Sequence, residues 1–127
     1  MPVALTFQEP NTFAVRASGR VTFEECHAMQ AQLLADPHLS EGVRVLVDAS
    51  AVRGVPSASE LRALAAEMQP MVERGLGPVA VVTASPSVYG VVRMFSVFAE
   101  LVNAIVMPFK ERSDAERWLA SKPAPRN

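Results

Sequence analysis

The sequence predicts a single α/β domain built on a mixed sheet, and three observations carry that expectation. Two short N-terminal runs separated by turn residues read as a hairpin. Two later runs, Val43 to Asp48 and Val79 to Thr83, are β-branched and apolar on both faces, the pattern of parallel strands covered on both sides. Stretches with the 3.6-residue period of helices, each opened by a start signal, separate those strands. The expected order is ββαβαβαβα, an N-terminal hairpin joined to parallel core strands covered by helices, with right-handed crossovers.

Val3 to Gln8 and Thr12 to Ala17 form the hairpin around Glu9, Pro10 and Asn11, and Gly19 is expected to end its second strand. Thr22-Phe-Glu-Glu25 has the spacing of a capping box. The helix it opens places Phe23, Cys26, Met29, Leu33 and Leu34 on one face, and Asp36-Pro37 stops it. A second box, Ser57-Ala-Ser-Glu60, precedes a core stripe of Leu61, Leu64, Ala65, Met68 and Val72. Pro70 removes a helical hydrogen bond there and kinks or ends the helix, and Gly75 and Gly77-Pro78 close the unit. The third helix takes Ser85 as cap and Pro86 as first residue and runs to about Asn103. Ile105 to Phe109 is the last strand, with Pro108 placing it at an edge. A third box, Ser113-Asp-Ala-Glu116, opens a closing helix that buries Ala115, Trp118 and Leu119.

At 127 residues the chain fits one domain, expected over residues 1–121, with a frayed Pro-rich tail over 122–127. With 50% of residues hydrophobic and 20% charged, a core forms without staples. The 12 basic and 13 acidic residues are scattered and leave a net charge of −1, so no basic stripe exists for nucleic acid. One cysteine forms no internal disulfide, and with two histidines it cannot complete a four-ligand zinc site. The longest apolar stretch is broken by Arg93, Ser96 and Glu100, so no membrane span is expected. Met-Pro-Val-Ala at the start has neither the charge nor the apolar run of a signal peptide, and a cytoplasmic location is expected.

The hairpin, Gly-Arg-Val-Thr opening a helix, Val-Leu-Val-Asp-Ala-Ser before a Ser-capped helix, and the closing Ser-Asp-Ala-Glu-Arg-Trp-Leu together resemble the STAS-type fold. They are most similar to its bacterial SpoIIAA-like group, related to anti-sigma-factor antagonists. The resemblance covers nearly the whole chain and implies a regulatory domain acting through protein contacts. In phosphorylatable members an Asp-Ser pair opens the helix after the central strand, and a kinase modifies the serine. The matching serine here is Ser57, with Pro56 in place of the Asp and Ser59-Glu60 in place of the usual glycine. Related folds also carry lipids, so the resemblance implies an apolar ligand as the alternative.

No G-x-S-x-G, P-loop or G-x-G-x-x-G motif is present, and no catalytic constellation assembles; neither an enzyme nor a cofactor is expected. Cys26 falls in a core stripe and is expected to be inert; His38 is expected to be solvated. The carboxyl ends of parallel strands are the sensible place for a site. Asp48, Ser50, Arg53, Ser57 and Ser59 leave one strand there, and Thr83, Ser85, Ser87 and Tyr89 leave the next. Arg53 at a loop tip and two helix N-termini could receive a phosphate or another small anion, while capping alone accounts for both serines.

Stepping by about 100° per residue along the third helix gathers Tyr89, Arg93, Ser96, Glu100 and Asn103 into one narrow polar strip. The apolar arc that remains is wider than packing on one sheet requires. Neighbouring elements, a homodimer partner or an apolar ligand could cover the excess, and Met94, Val97, Phe98 and Leu101 are the candidate contact face.

Overall fold

The computed structural model describes residues 3–8 and 10–121. Glu9 of the expected turn and the tail 122–127 lie outside the described residues. The elements run β1 (Val3–Gln8), β2 (Thr12–Arg20), α1 (Phe23–Ala35), β3 (Arg44–Gly54), α2 (Ala58–Ala66), α3 (Gln69–Glu73), β4 (Val79–Val82), α4 (Pro86–Glu100), β5 (Val106–Phe109) and α5 (Arg112–Ser121). They form one five-stranded mixed sheet in sequential order, β1 antiparallel to β2 and the remaining pairs parallel. Pro108 lies in the edge strand β5, where a missing ladder donor is tolerated.

Alternation along the strands sorts side chains between two unequal cores. Phe13, Val15, Val45, Val79 and Val81 face Leu33, Met68, Met71 and Ala99 in the larger one, which joins the sheet to α1, α3 and α4. Leu46, Ala80 and Val82 point the other way and meet Ala115 and Leu119 of α5. On β1, Val3, Leu5 and Phe7 join the larger core, whereas Ala4, Thr6 and Gln8 are exposed on the α5 side.

The boxes at Thr22 and Ser57 are formed in both directions. Pro70 divides the second helix into α2 and the short α3. Gly75 then has φ +103°, and a Cβ there would stand 2.5 Å from the Glu41 Cα. A Cβ on Gly77 would meet the Val43 carbonyl at 2.8 Å. Only glycines let this turn lie against residues 41–43, where the Gly77 amide donates to the Val43 carbonyl at 2.8 Å.

Several expected boundaries differ. β2 runs past Gly19 to Arg20, and β3 runs to Gly54 rather than stopping at Asp48, because the two strands keep pairing as far as Arg20↔Gly54 across two register shifts. The shifts and the φ of +66° at Gly19 bend the ladder without ending it. α4 stops at Glu100, and Asn103 at φ +65° turns the chain while the Ala104 amide reaches back to the Ala99 carbonyl. α5 begins at Arg112, so Ser113 is inside the helix rather than at its cap; the Arg112 Nε donates to Glu116 at 3.0 Å. Trp118 is half-buried rather than buried, tilted against Phe109 with ring centroids 5.5 Å apart.

Candidate functional site

Ser57, Ser85, Thr83 and Asp48 of the predicted rim each make contacts of their own. Ser57 caps α2: its hydroxyl accepts from the Glu60 amide at 3.3 Å and lies 3.3 Å from the Ser59 hydroxyl. Ser85 caps α4 in the same way, accepting from the Val88 amide at 3.2 Å with the Ser87 hydroxyl 3.3 Å away. One amide at each helix start is therefore already satisfied by a side chain. Arg53 is exposed on the extended β3 instead of at a loop tip. Thr83 is 2% exposed and hydrogen-bonds the Phe109 carbonyl through its hydroxyl at 3.2 Å, which ties β4 to β5 and withdraws it from the rim. Tyr89 is half-buried with the Lys110 ammonium 5.5 Å from its ring centre.

Asp48 belongs to the α5 face. It accepts from the Ser50 hydroxyl at 2.6 Å and the Ser50 amide at 3.0 Å, and the Arg112 guanidinium is 3.9 Å away. The Ser50 hydrogen bonds, aided by Arg112 and Arg16, hold its carboxyl below the usual carboxylate range. Asp48, Arg16 and, from the start of α5, Arg112 line an open groove over β1 and β2.

The candidate contact face on α4 divides in two. Val97 is 59% exposed and Leu101 75%, both large apolar side chains in water. Met94 and Phe98 are half-buried, and the Arg62 guanidinium from α2 lies 5.7 Å from the Phe98 ring centre. α2 thus covers one flank of the wide apolar arc, and the Val97–Leu101 flank faces outward.

Between the sheet and the helices of the larger core lies a cavity of about 200 Å³. Val47, Ala49 and Val81 floor it, and Leu64, Met71 and Phe95 are among the helical residues that roof it. Apart from Gln30 and Cys26, every lining residue carries a hydrocarbon or thioether side chain. Pro56, beside Ser57, is buried and lines it too. Burial pushes the Cys26 thiol up to about 11, with Glu25 adding to the shift, so the cavity carries no charge at neutral pH. Sequence periodicity placed Cys26, Met29, Leu33, Leu61, Leu64 and Met68 of this lining on core-facing stripes. The one available signal of something further was polar Gln30 within the apolar stripe that holds Cys26, Met29 and Leu33.

His27 and His38 serve local contacts. The His27 ring lies parallel to Phe23 and its Nδ1 is 2.7 Å from Glu67, while His38 stacks on Phe7 at 3.9 Å with its Nδ1 2.8 Å from Asp36. Among the described residues no group of three or more His, Cys, Asp or Glu could hold a metal, and no helix is long and apolar enough to cross a membrane.

Known structures share this architecture from end to end. An uncharacterised protein with a SpoIIAA-like fold from Shewanella loihica PV-4 superposes with a TM-score of 0.60 at 19% identity, covering 92% of this chain and 91% of its own. The anti-sigma factor antagonist SpoIIAA in its unphosphorylated form gives 0.59 at 11% identity, covering 94% and 99%. The Bacillus cell fate determinant SpoIIAA in its phosphorylated form gives 0.56 at 13%, covering 91% and 98%. At these identities the likeness is one of fold. No curated protein matches the chain in sequence. The SpoIIAA-like family model, however, matches residues 12–120, from the first residue of β2 to the last turn of α5, and the chain belongs to the SpoIIAA-like family.

Proposed function

We propose that this chain is a cytoplasmic, non-enzymatic regulatory domain that works by protein contact, with a symmetric homodimer as its resting form. The carrying observation is the outward flank of α4, where Val97 and Leu101 stand 59% and 75% exposed in a family related to anti-sigma-factor antagonists. A two-fold contact covers such a face with a second copy of itself, the commonest arrangement in small oligomers. A regulatory protein partner would use the same face or the rim beside Ser57. Analytical ultracentrifugation of the wild type should give a dimer at micromolar concentration. Val97→Glu should give a folded monomer, because Val97 makes little contact with its own core. A monomeric wild type rules out the dimer.

For Ser57 the proposal is a cap and not a switch. Pro56 replaces the family Asp and is buried, and the Ser57 hydroxyl is engaged by Glu60. Ser57→Asp should change stability by less than about 0.5 kcal/mol, since Asp caps about as well. Phosphate found at Ser57 in protein isolated from its own cells overturns that assignment.

A second reading, carriage or sensing of a small apolar molecule, is supported by the 200 Å³ cavity and its hydrocarbon walls. An engineered apolar cavity of about 150 Å³ binds benzene. Native mass spectrometry separates the two readings: a co-purifying small mass supports the carrier, bare dimers the contact domain. For an anion the support is weaker, since the serine caps already occupy amides at both helix starts.

A further inference from the structure

Gly90 stands inside α4, exposed, and a Cβ added to it would meet nothing within 4 Å. Glycine is a poor helix former beside alanine, and no close approach within the chain requires it here. At about 100° per residue, Gly90, Val97 and Leu101 fall within an arc of about 40°. The two exposed apolar side chains of this helix therefore share one strip with the bare backbone of Gly90. Phe98, with Arg62 of α2 over its ring, bounds the strip on one side. Arg93 and Glu100 bound it on the other; both are exposed, and neither has an ion-pair partner among the described residues.

We infer that Gly90 is a socket for Leu101 of a second copy, in a pair of antiparallel α4 helices that cross at Val97. The inference rests on the dimer reading and gives that contact its geometry and its direction. When two helices pack, a side chain of one enters the hole between residues i, i+3, i+4 and i+7 of the other. With Val97 on the two-fold axis, the partner's Leu101 comes level with the hole between Gly90, Arg93, Met94 and Val97. Glycine leaves that hole open, and Leu101, 75% exposed, has no place in its own core. Charge sets the direction. The two-fold axis keeps Arg93 and Glu100 on the same flank and brings each Arg93 within about one helical turn of the partner's Glu100. Opposite charges thus meet twice across the contact. In a parallel pair the same residues lie on opposite flanks, and neither charge is matched.

Gly90→Gln tests the socket, because it fills the hole with a good helix former that nothing in its own chain obstructs. In sedimentation equilibrium its dimer dissociation constant should exceed the wild-type value by about tenfold or more. In a Val97→Glu background, where the chain is monomeric, the same change should hold the melting temperature or raise it by about 2 °C. Arg93→Glu and Glu100→Arg should each weaken the dimer about threefold, and the double reversal should restore it. A lower melting temperature from Gly90→Gln in that monomer would give the glycine a role in its own fold and overturn the socket. If Val97→Glu breaks the dimer but Gly90→Gln and both reversals leave the dissociation constant unchanged, the antiparallel pairing is overturned while a dimer on this face stands. A wild type that stays monomeric, or a dimer that Val97→Glu leaves intact, removes the face and the pairing together.

Discussion

The two faces of the sheet solve the same packing problem with opposite results. On the face covered by α1 to α4, large side chains line β2, β3 and β4, yet the layers enclose a cavity of about 200 Å³. On the opposite face a single helix, α5, is seated on Ala80 and Ala115, both 0% exposed, with Leu46, Val82 and Leu119 around them. Small residues at both ends of that contact let helix and strand approach closely. Larger residues and a helix layer broken at Pro70 do not achieve this on the first face. The α5 face leaves an open groove over β1 and β2, whereas the other face has a void between its layers. Under the proposed carrier reading the loose face would hold the ligand, while the tight one holds α5 in place.

Substitutions can break that comparison. The largest effect is expected for Phe13→Ala, which removes a wholly buried ring from the larger core and should cost about 3–5 kcal/mol in chemical denaturation. A loss below about 1 kcal/mol would mean the loose core carries little of the stability. Next, Ala115→Phe should destabilise by about 3 kcal/mol, because nothing beside a fully buried alanine can give way without moving α5. Val47→Ile adds a methylene on the cavity floor and should be neutral or stabilising by about 0.5–1 kcal/mol. A destabilising Val47→Ile alongside a tolerated Ala115→Phe would reverse the assignment of the two faces.

A further effect comes from pH. The Cys26 thiol is raised from 9.0 to about 11 by burial in the loose core. Between those values the unfolded chain has released the proton and the folded one has kept it, so stability falls as pH rises through that window. Below pH 9 both states hold the proton and the contribution is constant. Thermal melts at pH 8 and pH 10.5 should show a larger decline for the wild type than for Cys26→Ala. Equal declines would place the thiol in contact with water.

Much of the fold was legible because it is written in local chemistry. The boxes at Thr22 and Ser57, the Pro86 start and the edge-forming Pro108 each act within a few residues, and the fold places them as the sequence implies. Misjudged boundaries were those that distant pairing sets. β3 continues to Gly54 because β2 remains beside it, and no signal within Ser50 to Arg53 announces that partner. Ser113 has the spacing of a cap, yet Arg112 already lies in the helix, with its guanidinium turned toward Glu116 and Asp48.

For the candidate site the division is sharper. Spacing alone gave the apolar stripe of α1, the wide apolar arc of α4 and the serines at two helix starts, since helical period and capping depend on neighbours in sequence. It could not say that Thr83 turns inward to β5, that Asp48 belongs to the α5 face, or that α2 shields Phe98 and leaves Val97 bare. Nor could it reveal the cavity. Which residues are apolar is a property of the chain, whereas how closely two apolar layers approach depends on the volumes of side chains far apart in sequence. The unpaired oxygen of Gln30 is the plainest case: its amide nitrogen is engaged by Leu64, a residue 34 positions away, and only their meeting leaves that oxygen buried without a partner in the protein.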